Sequence, residues 1–200
     1  MANIAIIPAR GGSRRIPHKN INEFHGKPII ACSIEAAWES KLFDEVFVST
    51  EDQKIAAIAK KYAASIIDRP MAMAEDNVGT YEVMHDAMAL IEAEYGFMEK
   101  DDCVCCIYAT SPLMSVDDLA RGHLYMNTFP LSHCISIGYP PLQDAAQFYW
   151  SRVDALRANI PYFGISTGLV TIAPERICDI NTPEDWSRAE LMYAALQEKK

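Results

Sequence analysis

The sequence predicts an α/β protein in which helices cover a largely parallel β-sheet. Short apolar runs suited to buried strands alternate along the chain with segments of helical spacing. Several runs end at strand-breaking residues, such as Pro8 after Asn3–Ile7 and Pro112 shortly after Cys103–Tyr108. The chain has 200 residues, of which 50% are apolar, so one domain with a sizeable core is expected over residues 1–200.

The elements follow in a βαβα order. The predicted strands are Asn3–Ile7, Val46–Ser49, Ser65–Ile67, Cys103–Tyr108, His133–Ile137, Gln147–Trp150, Gly168–Ala173 and Ile177–Ile180. The predicted helices are Lys27–Glu39, Asp52–Tyr62 capped by Thr50 or Asp52, Thr80–Tyr95, one opened by Ser115, and one that begins at Thr182-Pro183. Ligands of such folds bind beyond the carboxyl ends of the strands, so the loops after Ile7, Ser49, Ile107 and Ile180 should converge on one site.

Charge is distributed unevenly along this acidic chain. The net charge is −9, yet residues 1–27 carry +4 and the remainder carries −13. The overall sign argues against nonspecific binding of nucleic acid. A concentrated basic segment on an acidic protein instead indicates a local anionic ligand, such as a phosphate chain.

The six cysteines lack the spacing of a metal site, and three of them, Cys103, Cys105 and Cys106, fall in one apolar run. Such cysteines are expected to fill the core of a protein in a reducing compartment. The first residues do not resemble a signal peptide, and no stretch approaches the length of a membrane span. A cytoplasmic protein with no membrane partner is therefore expected.

The segment Pro8–Asn20, directly after the first strand, carries the strongest functional signal. Gly11 and Gly12 allow the backbone to approach an oxyanion, and Arg10 and Lys19 can neutralise a polyphosphate. The segment contains neither the Walker P-loop pattern nor the GxGxxG dinucleotide pattern. A solvated basic turn with no ligand is the alternative interpretation.

This segment resembles the signature of the acylneuraminate cytidylyltransferases, the CMP-sialic acid synthetase family. The resemblance continues along nearly the whole chain, through Gly26-Lys27-Pro28, Phe43–Val46, Val48–Thr50, Asp68-Arg69-Pro70, Gly79-Thr80, Thr110-Ser111-Pro112 and Asp179–Thr182. Cys105–Tyr108 and Gln147–Trp150 are most similar to the pseudaminic acid branch. The resemblance implies a Rossmann-like, three-layer nucleotidyltransferase fold.

It also implies a reaction in which CTP and a nonulosonic acid, an acidic nine-carbon sugar, give the CMP-sugar and pyrophosphate. Arg10 would hold the triphosphate and Lys19 would stabilise charge at the α-phosphate, the two catalytic assignments. The full nucleotide-binding set is Ala9, Arg10, Gly11, Gly12, Ser13, Lys19, Asn20, Arg69 and Thr80, and the sugar-binding set is Tyr108 and Gln147. Pseudaminic acid is the expected acceptor; sialic, legionaminic or 3-deoxy-octulosonic acid are the alternatives.

Several of these residues have structural alternatives. Asn20 could cap a turn, and Arg69 could pair with Asp68. Tyr108 could be a core aromatic, and Thr80 is a natural N-cap for the helix that follows it. His18 could touch phosphate, whereas the other histidines lack zinc spacing.

Asp179 and Asn181 are the expected ligands of Mg²⁺, the predicted cofactor. Alternation along a predicted strand places both side chains on one side, where their oxygens could share a hard cation. The family usually has aspartate at both positions, so Asn181 contributes one charge fewer. The alternative is that both residues only shape the start of the last helix.

The chain departs from the family between Ile137 and Asp144. Family members carry a few dozen residues there, which include sugar contacts and an arm that joins two subunits. Residues 138–144 do not suggest a tight hairpin, so either a mobile segment is omitted from the sequence or it is deleted. A homodimer is expected by resemblance. This departure and Asn181 motivate one further alternative, a non-catalytic nucleotide-binding relative, against which Arg10 and Lys19 argue.

Overall fold

The structure, a computed structural model, describes residues 2–96 and 98–198. Its strands are β1 Asn3–Pro8, β2 Glu23–Phe24, β3 Lys27–Pro28, β4 Glu45–Thr50, β5 Ser65–Asp68, β6 Cys103–Ile107, β7 His133–Gly138, β8 Gln143–Arg152 and β9 Thr167–Ile172. Its helices are α1 Ile29–Ser40, α2 Gln53–Lys61, α3 Thr80–Tyr95, α4 Val116–Thr128, α5 Val153–Arg157 and α6 Pro183–Gln197. Within the described residues no helix is both long enough and apolar enough to cross a membrane.

Side chains that alternate along the central strands enter two apolar layers. Cys103 and Cys105 face a layer built with α1, α2 and α4, whereas Val104 and Cys106 face a layer built with α3 and α5. Every residue of β6 is consequently buried. This arrangement confirms the predicted three-layer α/β fold, and it explains why the cysteine-rich run is apolar throughout.

The main sheet has the strand order β5-β4-β1-β6-β8-β7-β9 among the described residues. All neighbouring pairs are parallel except those of β8, which runs antiparallel to both β6 and β7. The mostly parallel sheet is thus confirmed. The carboxyl ends of β1, β4 and β6 lie side by side at one edge of the sheet.

The helix starts agree largely with the sequence signals. Asp52 caps α2 by accepting from the amides of Lys54 and Ile55, and Ser115 caps α4. Thr182 and Asp185 form a capping box at the start of α6. The prediction that Thr80 caps α3 is wrong, because Gly79 is the N-cap residue and Thr80 is the first residue of the helix.

Three element predictions differ from the structure. The strand predicted at Gln147–Trp150 is longer and spans Gln143–Arg152. The first predicted helix begins at Ile29, because Lys27–Pro28 pairs with Glu23–Phe24 in a small antiparallel ribbon. The predicted strand Ile177–Ile180 is wrong: β9 already occupies the sheet position beside β7. Cys178 and Ile180 of that segment pack into a separate cluster under α6, whereas Ile177 packs against the main core.

β7 and β8 are joined by four residues, 139–142, with Gly138 paired with Gln143. The peptide bonds Tyr139–Pro140 and Pro140–Pro141 are cis. The expectation that a longer segment belongs at 138–144 stays a prediction.

Candidate active site

A cleft of about 540 Å³ opens at the carboxyl ends of β1, β5 and β6. It is lined by Pro8, Arg10, Ser13, Arg14, Arg15, Lys19, Asn20, Arg69, Met73, Glu75, Asp76, Val78, Thr80, Val83, Tyr108, Ala109, Thr110 and Asn181. Most of the predicted site residues therefore line one cavity. Ala9, Gly11, Gly12, Gln147 and Asp179 are the predicted residues outside this lining.

The loop after β1 is held against the end of β4. The amide of Ala9 donates to the carbonyl of Ser49, with a nitrogen–oxygen distance of 3.0 Å. The amide of Gly11 donates to Oε1 of Glu51 at 2.7 Å. A Cβ atom at Gly11 would lie 2.4 Å from Oδ2 of Asp52, whereas one at Gly12 would meet nothing within 4 Å. Close packing thus requires glycine at position 11 but not at position 12.

Lys19 opens a 3₁₀ turn, Lys19–Ile21, and its ammonium group is half-buried in the cleft. The Nζ atom donates to the backbone carbonyl of Ile180 at 2.7 Å. Burial lowers the pKa of Lys19, the cations Arg15 and Arg10 lower it further, and Asp179 opposes them. Next to it Asn20 donates from Nδ2 to the carbonyl of Arg10 at 2.9 Å, so its side chain braces the loop.

Arg10 and Arg14 converge on one carboxylate. Nη1 of Arg10 lies 2.7 Å from Oδ1 of Asp76, and Nε of Arg14 lies 2.8 Å from Oδ2 of the same residue. Arg10 also donates to the carbonyl of Ala74 at 3.4 Å. The guanidinium groups are therefore held at the mouth of the cleft by the segment that precedes α3.

Arg69 is 6% exposed, and its guanidinium donates to the hydroxyl and the carbonyl of Ser49 at 3.1 and 2.7 Å. Its contacts are with Ser49 rather than with the neighbouring Asp68. Burial lowers the pKa of Arg69, while the nearby carboxylate of Glu51 opposes that shift. A buried cation fixed at the end of β4 can present its remaining donors to a nucleotide.

A row of hydroxyl groups extends from the cleft into the sheet. Oγ1 of Thr80 lies 3.1 Å from the hydroxyl of Tyr108, which lies 3.5 Å from the hydroxyl of Tyr149. Tyr149 in turn donates to Oδ2 of Asp144. Burial raises the pKa of Tyr108 to about 12, so it stays a neutral hydroxyl near neutral pH.

Gln147 lies apart from Tyr108 in the orientation the structure shows. Its side chain is 3% exposed, and Nε2 donates to the carbonyl of Arg176 at 2.5 Å. Its Oε1 atom is buried without a hydrogen-bond partner among the described residues. The two predicted sugar-binding residues are instead linked through their backbones, where the Tyr108 amide donates to the Gln147 carbonyl at 3.0 Å.

Asp179 and Asn181 are in contact, although the strand that was expected to carry them does not form. Nδ2 of Asn181 donates to Oδ2 of Asp179 at 2.5 Å, and Oδ1 of Asn181 accepts from Arg15 at 2.9 Å. No group of three or more Asp, Glu, His or Cys side chains is placed to hold a metal within residues 2–96 and 98–198. One carboxylate and one amide oxygen nevertheless fit Mg²⁺, which commonly takes one or two carboxylates together with substrate phosphates.

Sequence reasoning missed three residues of the site. Arg15 lies within the segment Pro8–Asn20, which predicted no individual role for it, and it donates to Oδ1 of Asn181. Glu51 and Asp76 hold the Gly11 amide and the two arginines, respectively. Their positions after a strand and before a helix carry no pattern that separates them from ordinary surface acids.

The chain is similar to known proteins along nearly its whole length. A family model described as cytidylyltransferase matches residues 4–129. Pseudaminic acid cytidylyltransferase of Campylobacter jejuni subsp. jejuni serotype O:2 is 31% identical over 227 positions, which cover 96% of this chain and 97% of that protein. Post-translational flagellin modification protein B of Campylobacter coli is 35% identical over 222 positions, covering 94% of each chain. An alignment of 227 positions with a chain of 200 residues leaves at least 27 positions without a residue here.

Solved structures with low sequence identity share the fold. The structure of CMP:2-keto-3-deoxy-manno-octonic acid synthetase complexed with CTP matches with a TM-score of 0.76 and 16% identity, covering 100% of both chains. A 4-diphosphocytidyl-2C-methyl-D-erythritol synthase matches with a TM-score of 0.73 and 14% identity, covering 96% of this chain and 97% of that one. Together with the match over residues 4–129 and the full-length similarity, these findings show that the chain belongs to the cytidylyltransferase family.

Proposed function

We propose that this protein transfers CMP from CTP to the anomeric hydroxyl of a nonulosonic acid, with pseudaminic acid as the acceptor, and releases pyrophosphate. One observation carries the proposal. The cleft gathers Arg10, Lys19 and Arg69 at the carboxyl edge of the sheet. It does so in a chain whose full-length relative is named for this reaction.

The chemistry is an in-line displacement at phosphorus. The anomeric oxygen forms a bond to the α-phosphorus, the bond from that phosphorus to the bridging oxygen breaks, and pyrophosphate leaves with the electron pair. The acceptor hydroxyl loses its proton in the same process. The protein contributes by orienting both substrates and by placing cations where charge develops.

Arg10 and Lys19 take different parts in this reaction. Arg10 lies at the mouth of the cleft, where it can hold the outer phosphates of CTP. Lys19 lies deeper, beside the carbonyl of Ile180 and close to Asp179, where it can meet the α-phosphate. Asn20 keeps the loop between them in shape through its bond to the carbonyl of Arg10.

The acceptor sugar occupies the side of the cleft formed by Tyr108, opposite the outer phosphates. The neutral hydroxyl of Tyr108, beside Thr80, can exchange hydrogen bonds with sugar or ribose hydroxyls. The buried Oε1 atom of Gln147 lacks a partner, so rotation of its amide could supply an acceptor to an N–H or hydroxyl group of the sugar. Buried polar contacts of this kind discriminate strongly between sugars.

Mg²⁺ is the proposed metal, with Asp179 as its main protein ligand and Asn181 as the second. When bound, it would neutralise charge on the phosphates. In the structure the amide nitrogen of Asn181 faces the carboxylate of Asp179, and its amide oxygen accepts from Arg15. Rotation of the amide would release that oxygen from Arg15 and turn it toward the metal.

The protein is further proposed to be cytoplasmic and to form a homodimer. The buried, unpaired thiols of Cys32, Cys103, Cys105, Cys106, Cys134 and Cys178 support a reducing compartment. Light scattering coupled to size-exclusion chromatography tests the dimer.

The test is release of pyrophosphate from CTP and Mg²⁺ with a panel of acidic sugars. We expect release with pseudaminic acid that exceeds release with sialic, legionaminic or 3-deoxy-octulosonic acid. A legionaminic acid preference is the second candidate, because a Legionella pneumophila protein named CMP-N,N'-diacetyllegionaminic acid synthase is 39% identical over 126 residues, 61% of this chain and 52% of that one. Binding of CTP without release for any sugar would instead indicate a non-catalytic relative.

A further inference from the structure

The carboxylate of Asp76 lies where two cations that line the cleft, Arg10 and Arg14, meet. Its two oxygens lie 2.7 Å from Nη1 of Arg10 and 2.8 Å from Nε of Arg14, so one carboxylate pairs with both guanidinium groups and offsets half of their combined charge. The contact is specific to this residue of the loop. Glu75, its neighbour, also lines the cleft but forms no ion pair within the described part of the chain.

The position of Asp76 is set by the segment between β5 and α3. That segment contains a 3₁₀ turn, Met71–Ala74, whose last carbonyl also accepts from Arg10. A turn from Glu75 to Val78, closed by an amide–carbonyl contact of 3.3 Å, follows directly. The carboxylate is thereby presented to the arginines by backbone geometry, although the side chain itself is 40% exposed.

We propose that Asp76 is a built-in competitor of the polyphosphate, which weakens the hold of Arg10 and Arg14 on pyrophosphate and so favours release of this product. The proposal rests on the proposed function, since it takes Arg10 as a triphosphate-binding residue. Phosphate oxygens and the Asp76 carboxylate need the same guanidinium donors. If the carboxylate and the polyphosphate both stay near the arginines, they repel each other, and this repulsion also weakens polyphosphate binding.

Competition from Asp76 should weaken the binding of pyrophosphate more than the binding of CTP. The base and ribose of CTP would add contacts that do not depend on charge, for example with Thr80, whereas pyrophosphate offers only charged oxygens. An exposed carboxylate that can return to the arginines therefore acts on the step at which only charge retains the ligand.

The experiment compares wild type with Asp76→Asn by titration calorimetry with pyrophosphate and Mg²⁺ and by product inhibition during turnover. Exposed ion pairs are individually weak, so loss of two such competing contacts should tighten pyrophosphate binding about threefold to tenfold. The inhibition constant should fall by the same factor. Because Asp76 is exposed, its replacement by asparagine should leave the circular dichroism spectrum and the melting temperature unchanged.

Glu75→Gln is the matched control, because it removes the same charge from the adjacent position of the same loop. We expect its affinity for pyrophosphate to change less than about twofold, a purely long-range effect. In the Arg14→Ala background, Asp76→Asn should increase the affinity for pyrophosphate by a smaller factor, because one of the two ion pairs of Asp76 is already absent.

The idea is overturned if Asp76→Asn binds pyrophosphate no more tightly than wild type, or if Glu75→Gln gains as much. Failure of both proteins to bind pyrophosphate overturns it as well. A wild-type protein that turns over CTP but shows no effect of Asp76→Asn would leave the proposed function intact. A wild-type protein that does not bind CTP would remove the proposed function itself.

Discussion

Lys19 donates a hydrogen bond from its ammonium group to the backbone carbonyl of Ile180, across a separation of 161 residues. This bond joins the loop after β1 to the segment that carries Asp179. The ammonium group of Lys19 is therefore held in position by the backbone of the segment that precedes α6. A positive group held in this way needs little reorganisation when charge develops at the α-phosphate.

Lys19→Ala should lower kcat far more than it weakens CTP binding, because the charge that Lys19 meets grows in the transition state. Removal of one such donor commonly costs on the order of a hundredfold or more in rate. Steady-state kinetics together with calorimetric titration of CTP separates the two effects. Near-normal turnover of this variant would remove Lys19 from the mechanism.

The rate should decline with rising pH earlier than an ordinary lysine would dictate. The pKa of Lys19 is lowered from 10.5, chiefly by burial, so its proton is lost at a lower pH. Because the cation is the active form, kcat/KM, which reports the free enzyme, should fall as pH rises through that lowered value. In Lys19→Arg the guanidinium keeps its charge to above about pH 12, so this alkaline decline should vanish. The same decline in Lys19→Arg would assign it to another group.

Asp179→Ala should weaken metal binding and turnover, with partial recovery only at high metal concentration. Asn181→Asp should tighten Mg²⁺ binding, since it adds a negative charge beside Asp179, although Arg15 will compete for that charge. Calorimetric titration of Mg²⁺ into the CTP-bound protein measures both effects independently of turnover. Pyrophosphate release that persists in a chelator would show that the metal assignment is wrong.

Gly11→Ala should destabilise the protein, whereas Gly12→Ala should not. A methyl group at position 11 would collide with Asp52, the residue that caps α2, while position 12 has open space. Disturbance of the cap should cost about 1 kcal/mol of unfolding free energy. Urea denaturation of the two variants gives the comparison, and equal stabilities would contradict the close packing at Gly11.

Tyr108→Phe and Gln147→Ala should raise the KM for the sugar or change sugar preference while CTP affinity stays nearly constant. Each removes a polar group from the acceptor side but leaves Arg10 and Lys19 in place. Kinetics with the sugar varied, paired with CTP calorimetry, tests the assignment. A large loss of CTP affinity with unchanged sugar kinetics would reverse the two halves of the site.

Much of this architecture follows from local patterns. The apolar runs of β1, β4 and β6 specify buried parallel strands, and the loop at Arg10 to Asn20 must then lie at their carboxyl edge. Ile177–Ile180 has the same apolar character, but periodicity cannot distinguish a strand from an extended segment that packs under a helix. The strand prediction for Ile177–Ile180 was wrong because tertiary packing, not the local pattern, decides where this segment lies.

The side-chain partners within the site were less accessible to sequence reasoning. Arg69 binds Ser49 rather than its neighbour Asp68, and Gln147 reaches the carbonyl of Arg176. Such choices depend on how the ends of distant strands are juxtaposed. They are decided by packing at the edge of the sheet, and a short stretch of sequence carries no information about that packing.

The contacts of Lys19 with Ile180 and of Arg15 with Asn181 also set when the protein becomes competent during its synthesis. Residues near the beginning of the chain supply the cations, and residues more than 160 positions later complete their surroundings. Domains generally fold as units during synthesis, so this domain cannot complete its site before its late residues have emerged from the ribosome. Until translation has passed the segment that precedes α6, the basic loop Arg10–Asn20 lacks its acidic partner Asp179.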